Sequence, residues 1–231
     1  MIDRFLSHIP ATMQSQSGAV FYSGRAAFGG RKPVYILGLN PGGSPIQQAK
    51  ETLARHTEKI LYREPTNWSA YRDESWLGNA PGTYGMQPRV LHLCQRLRLN
   101  PGVVPSSNLI FLRSAHEKDI KSRLAELADS CWPFHEKVIG TLRIRVVMCF
   151  GATAGNWVRN KLGAIHHVER FVENNDRHWQ SNSYRNASGI GVVIATHPSI
   201  AAWNTPAADP THLVANLLAG RKRRCNSTLF A

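Results

Sequence analysis

Four short apolar runs recur along the chain, at residues 34–37, 107–113, 145–150 and 191–195, each followed by a glycine or a small polar residue. Apolar runs of this length, without polar alternation, predict strands buried on both faces, as in a parallel sheet. Between them the apolar spacing becomes helical. Residues 46–62 place Ile46, Ala49, Leu53 and Ile60 on one face, with Ser44 as a cap, Pro45 at the first position and Pro65 as a stop. Further helices are expected at 87–97, at 120–139 in two pieces around Trp132-Pro133, at 152–162 and at 211–219. Residues 2–16 suggest a short helix broken by Pro10, and 18–30 a glycine-rich irregular lead-in. The polar, basic stretch 163–188 suggests a hairpin or a long insertion. Strands separated by helices predict an α/β fold: a three-layer αβα arrangement around a central four-stranded parallel sheet with right-handed crossovers.

Composition narrows the class. Nothing linker-like divides the 231 residues, so a single domain over 1–231 is expected, with a lead-in at 1–32, a core at 33–220 and a basic tail at 221–231. Lysine plus arginine number 28 against 15 acidic residues, a formal charge of +13, which points to a polyanionic partner, nucleic acid first. Neither an apolar run of membrane-spanning length nor a signal-peptide opening is seen, so a soluble cytoplasmic protein with no membrane partner is expected. The cysteines at 94, 131, 149 and 225 form no paired spacing. The first three are expected as buried free thiols, and no metal or cofactor is predicted.

The carboxyl ends of the strands are where an open α/β sheet binds its ligands. Two polar motifs fall there: Gly38-Leu39-Asn40-Pro41-Gly42-Gly43 after the first strand and His197-Pro198-Ser199 after the last. A third polar group, Asn108, sits in the second strand where an apolar residue would be ordinary. Residues 65–86 mix Trp68, Tyr71, Trp76 and Tyr84 with glycine and arginine, a composition suited to stacking.

The two motifs, in this order at strand ends, resemble those of the uracil-DNA glycosylase superfamily. The first is similar to the Gly-(Ile/Met)-Asn-Pro-Gly motif of its mismatch-specific and single-strand-selective branches, the second to its His-Pro-Ser loop. The resemblance covers roughly residues 33–220 and implies the strand order 2-1-3-4. It also implies that Asn40 holds the attacking water and His197 hydrogen-bonds the departing base. Asn108 would read the base edge, with Leu39 lining the pocket and Tyr84 stacking on the base, Trp76 being the second candidate. Gly42, Gly43, Ser44, Pro198 and Ser199 would contact DNA phosphates, and Ile200 or Trp203 would fill the space the flipped base leaves.

The implied activity is that of a monomeric, monofunctional DNA glycosylase. It would hydrolyse the N-glycosidic bond of an extruded pyrimidine, leaving an abasic site. Uracil is the default base. The segment from Gly43 to Tyr84 is longer than the family pattern, which favours a bulky modified cytosine, as in phage DNA, as the competing substrate. The rival is a superfamily fold without catalysis that binds nucleic acid, which the charge and the Arg221–Arg224 block would serve equally. A nucleotide-handling enzyme is disfavoured because residues 38–44 lack the G-x-x-x-x-G-K-[ST] pattern.

Overall fold

The computed structural model describes residues 2–220; the basic block 221–224 and Cys225 lie outside the described residues. The strands are β1 (Val34–Gly38), β2 (Ser106–Asn108), β3 (Val146–Phe150), β4 (His166–Val172), β5 (Gln180–Arg185) and β6 (Gly191–Ala195). They form one sheet in the order β2-β1-β3-β6-β5-β4. β2, β1, β3 and β6 are mutually parallel neighbours, whereas β5 and β4 run antiparallel at one edge. The sheet is therefore six-stranded and mixed, not the expected four-stranded parallel one. The stretch 163–188 supplies the difference. Its β4–β5 hairpin carries histidine and arginine because β4 is an edge strand, where charge prevents further strand pairing.

Every position of the central strands β1, β3 and β6 is buried, and successive side chains face opposite sides of the sheet. Tyr35, Leu37, Val147, Cys149, Val192 and Ile194 face one apolar cluster; Val34, Ile36, Val146, Met148, Phe150 and Val193 face the other. The first face is covered by α1 (Leu53–Glu58), α4 (Leu124–Leu142) and α5 (Ala152–Lys161) together with the N-terminal 3-10 turn Ile2–His8. The second is covered by α3 (Gln87–Arg96) and α6 (Thr211–Ala219), with Tyr71 of the short α2 (Ala70–Asp73). The lead-in belongs to the core. Phe5, Phe21, Phe28 and Phe134 pack edge-to-face with centroids 5.0 to 6.2 Å apart, a geometry contributing about 0.5–1.5 kcal/mol per pair beyond area burial.

Three helix expectations change. Residues 2–16 form 3-10 turns, not an α-helix. The helix expected over 46–62 is confined to α1 and a π-helical turn Lys59–Arg63; the preceding residues are turns, and Ile46 is 85% exposed. Helix α4 runs unbroken through Pro133, because the buried Cys131, Trp132, Phe134 and His135 hold that segment against the sheet. β2 is also shorter than its apolar run. Beyond Asn108, the Leu109 and Ile110 amides donate to Gly38 and Leu39 carbonyls, and Leu112 bridges Gly18 of the lead-in instead of continuing the sheet. Cys94, Cys131 and Cys149 are free and buried, and burial pushes all three thiols up, Cys94 and Cys131 to about 12. No helix among the described residues is long and apolar enough to cross a membrane.

Candidate active site at the carboxyl edge of the sheet

A single cleft of about 1550 Å³ opens where β1, β2, β3 and β6 end, and Asn40, Asn108, Tyr84 and His197 all line it. Its floor follows from strand register. Gly38 ends β1 and pairs with Asn108, which ends β2. Asn108 is thus at the carboxyl end of its strand, not at its beginning, and level with the Asn40 motif. A Cβ on Gly38 would lie 2.1 Å from Asn108 Oδ1. Only a glycine admits the amide there.

Asn108 is 6% exposed, and its Nδ2 is covered without a hydrogen-bond partner. The Tyr22 phenol, which burial pushes up to about 12 against the opposing effect of the Asn108 amide, faces this group without completing a hydrogen bond. A half-turn about the last side-chain torsion exchanges the two ends of the amide, so donor or acceptor can be offered to a ligand. A covered donor without a partner costs about 1–3 kcal/mol, a cost a ligand's acceptor would remove.

Asn40 is fixed by its nitrogen. Nδ2 donates to Ser114 Oγ at 2.8 Å and to the Pro41 carbonyl at 3.0 Å. Among the described residues nothing donates to its Oδ1, which leaves an acceptor for a water in a group that cannot itself take up a proton. The loop behind it is tied by Arg113, whose guanidinium donates to the Gly42 carbonyl at 2.6 Å and pairs with Glu51 at 2.9 Å. Gly42 and Gly43 are exposed at the cleft, with amides that no described carbonyl accepts.

His197 follows β6 and is half-buried. The Ser199 amide donates to its Nδ1 at 3.1 Å, and Ser199 Oγ lies 2.7 Å from the same atom. A backbone N–H can only donate, so Nδ1 is the acceptor and the proton resides on Nε2. Burial holds the imidazole below its ordinary 6.5, with Glu117 opposing. His197 is therefore a neutral donor at pH 7. Its ring packs edge-on to Phe150, the last residue of β3, at 6.1 Å.

The other expected residues divide. Leu39, Tyr84 and Ile200 line the cleft, and Tyr84 and Ile200 are 40% and 52% exposed. Trp76 lines it too, its indole N–H donating to Glu74. Trp203 cannot be the wedge: it is fully buried, packs against Phe150 at 5.3 Å and donates its indole N–H to the Thr196 carbonyl. Pro198 is buried, has no N–H, and its carbonyl accepts from Arg89, so it shapes the loop without facing the cleft. Ser44 caps the next turn through the Gln47 amide and does not line the cleft. Ser199 does line it, but its hydroxyl is spent on orienting His197.

Several lining groups had no sequence signal: Tyr22 from the lead-in, His56 of α1, Arg113 and Glu117. Phe150 had one, an aromatic at the carboxyl end of an apolar run. Among the described residues no group of three or more histidine, cysteine, aspartate or glutamate side chains could hold a metal ion. The cleft thus offers a fixed acceptor for water, a neutral imidazole donor, an amide with an unmet hydrogen bond and aromatic walls. The chain matches no family model and no curated protein.

Proposed function

We propose that the protein is a monofunctional DNA glycosylase of the uracil-DNA glycosylase type, acting on an extruded pyrimidine. The observation that supports it most is the buried, unpartnered Asn108 amide, placed in one cleft with Asn40 Oδ1 and the Nε2–H of His197. An amide at Asn40 cannot act as a strong base, so bond breaking runs ahead of water attack and the sugar becomes oxocarbenium-like. His197 meets the charge that develops on the base oxygen, where one preorganised donor contributes about 2.7–4 kcal/mol. Asn40 holds the water at the anomeric carbon, an effect of position. The exposed Gly42 and Gly43 amides and the +13 charge suit phosphate contacts.

Uracil is the default base. The cleft exceeds the roughly 300–1,000 Å³ typical of small-molecule sites, which leaves room for a substituted pyrimidine such as a bulky modified cytosine of phage DNA. Defence against such DNA, in a bacterial cytoplasm, is the corresponding role. The test is a panel of duplex and single-stranded DNAs carrying uracil, mismatches or modified cytosines, scored for alkali-labile abasic sites and, with borohydride, for covalent trapping. Base release by wild type that falls at least about 10²-fold in Asn40→Ala, with DNA binding retained, supports the proposal. Tight DNA binding with a blank panel would instead assign the fold to nucleic-acid binding without catalysis, and trapping would make the enzyme a lyase.

A further inference from the structure

The cleft is lined by four carboxylates, Glu51, Glu58, Glu74 and Glu117. Three are committed to cations: Glu51 to Arg113 at 2.9 Å, Glu58 to Arg63 at 2.8 Å and Glu74 to Lys59 at 3.1 Å. Glu117 has no cationic partner among the described residues. Its Oε1 accepts from the Thr153 hydroxyl at 2.6 Å, and nothing described donates to its Oε2.

Two chains of contact bracket this carboxylate between the proposed catalytic groups. From one side, Asn40 Nδ2 donates to Ser114 Oγ, which donates to the His116 carbonyl at 3.0 Å, one residue before Glu117. From the other, Thr153 lies in the first turn of α5, two residues after Gly151, which is next to the His197 ring: a Cβ there would be in van der Waals contact with Cδ2 at 3.6 Å. Thr153 thereby anchors Glu117 on the His197 side, and Ser114 ties its segment to Asn40.

We propose that Glu117 is a further catalytic residue: the carboxylate that faces the cationic sugar and receives the proton of the attacking water, which the Asn40 amide cannot take. The role rests on the glycosylase function proposed above. As the C1′–N bond breaks, its electron pair leaves with the base, whose oxygen is hydrogen-bonded by His197 Nε2–H. The water held by Asn40 Oδ1 forms the new O–C1′ bond. Its proton moves to Glu117 Oε2, giving the neutral acid, and passes from there to solvent; the base anion takes a proton from solvent. The negative carboxylate also attracts the oxocarbenium before attack. That no described cation pairs with it matters for this, since a paired carboxylate would be partly neutralised.

The experiment uses the full chain and two duplexes that differ in one charge: a cationic pyrrolidine abasic analogue and a neutral tetrahydrofuran one. Wild type is expected to prefer the cationic duplex by about tenfold or more, the scale of one partly screened charge pair. Glu117→Gln keeps an acceptor for Thr153, so it should bind the neutral duplex as wild type does while losing the preference. Its single-turnover base release should fall on the order of 10²-fold, and Glu117→Asp should recover the preference in part. A Gln variant with the preference intact, or with base release within twofold of wild type, overturns the role. Equal weakening on both duplexes makes Glu117 merely structural and overturns it too. Wild type that releases no base and binds neither duplex removes the glycosylase function, and this role with it.

Discussion

Asn108→Leu is expected to raise stability while removing most of the activity. Leucine branches at the same atom as asparagine, so the side chain keeps its shape against Gly38, where the available space is set by a 2.1 Å approach of Oδ1 to a would-be Cβ. What disappears is the covered Nδ2 without a partner. Such a donor costs about 1–3 kcal/mol. Loss of the favourable interaction with the Tyr22 phenol and the exposure of a methyl to the cleft reduce the gain, leaving about 1 kcal/mol. For a domain of this size that is a rise in Tm of about 2–4 °C. Base release should fall about 10²–10³-fold, the cost of one preorganised polar contact. Thermal unfolding and single-turnover release measured on the same samples test both halves. A variant destabilised by 1 kcal/mol or more, or one with unchanged release, would show that the amide is structural. Gly38→Ala provides the converse. Its new Cβ collides with Oδ1 and should cost about 1–3 kcal/mol by overpacking; in an Asn108→Ala background most of that cost should vanish, a coupling that a double-mutant cycle reads directly.

Ser114→Ala removes the 2.8 Å acceptor that holds Asn40 Nδ2; base release is expected to fall about tenfold with DNA affinity unchanged, since the role proposed for Asn40 is mostly one of position. Arg177→Ala deletes the 2.7 Å bond from its guanidinium to the Ile200 carbonyl. Release from duplex DNA should then fall several-fold more than release from single strands, where no wedge is needed; equal losses would separate Ile200 from base extrusion. His135 is fully buried between the Tyr35 hydroxyl at 2.8 Å and the Leu109 carbonyl at 3.1 Å, and burial lowers it to about 4. The unfolded chain takes up its proton near 6.5 and the folded one only near 4, so stability is full above about pH 6.5 and falls by up to about 3 kcal/mol as pH drops to 4. His135→Gln should remove that share of the pH dependence in denaturant titrations, whatever it costs at pH 7, leaving the share of His56, which burial also holds low.

Legibility in the sequence tracked how each element is stabilised. β1, β3 and β6 are buried on both faces, so their apolar runs match their spans closely. The run 107–113 has its apolar residues at 109–112, yet the strand covers only its polar start. Residues 109–112 are buried by the lead-in and by α4, and burial alone, not ladder pairing, is what an apolar run records. The opposite failure occurs at 46–62, where a helical spacing of apolar residues spans turns whose Ile46 never reaches the core. In the site, Asn40, Asn108 and His197 were visible because each breaks an apolar strand or follows it among glycine and proline. Glu117, Arg113 and Tyr22 were not. Each is an ordinary residue in an ordinary stretch, brought to the cleft only by tertiary packing.

The same division separates what this cleft does from what it acts on. The proposed chemistry rests on three side chains held by close neighbours: Asn108 against Gly38, Asn40 against Ser114, His197 against Ser199. Those contacts are close, and they leave the three side chains little freedom. The walls are of another kind. Arg25 collects the Ile60, Leu61 and Glu64 carbonyls at the end of the π-helical turn, and Lys59 within that turn lies over Trp68 and pairs with Glu74. A π-helical turn is an insertion into a helix and often marks a functional site; here it carries Lys59, which with Glu74 lines the cleft. On the opposite side, Arg177 from the β4–β5 hairpin holds the loop that carries Ile200. Both devices come from stretches beyond the four parallel strands, and none of these bonds ends on Asn40, Asn108 or His197. Changes there should therefore alter which base enters and how it is extruded before they alter the rate of bond cleavage. A change in substrate choice without loss of single-turnover rate on the preferred base is the signature expected of substitutions at Lys59 or Trp76.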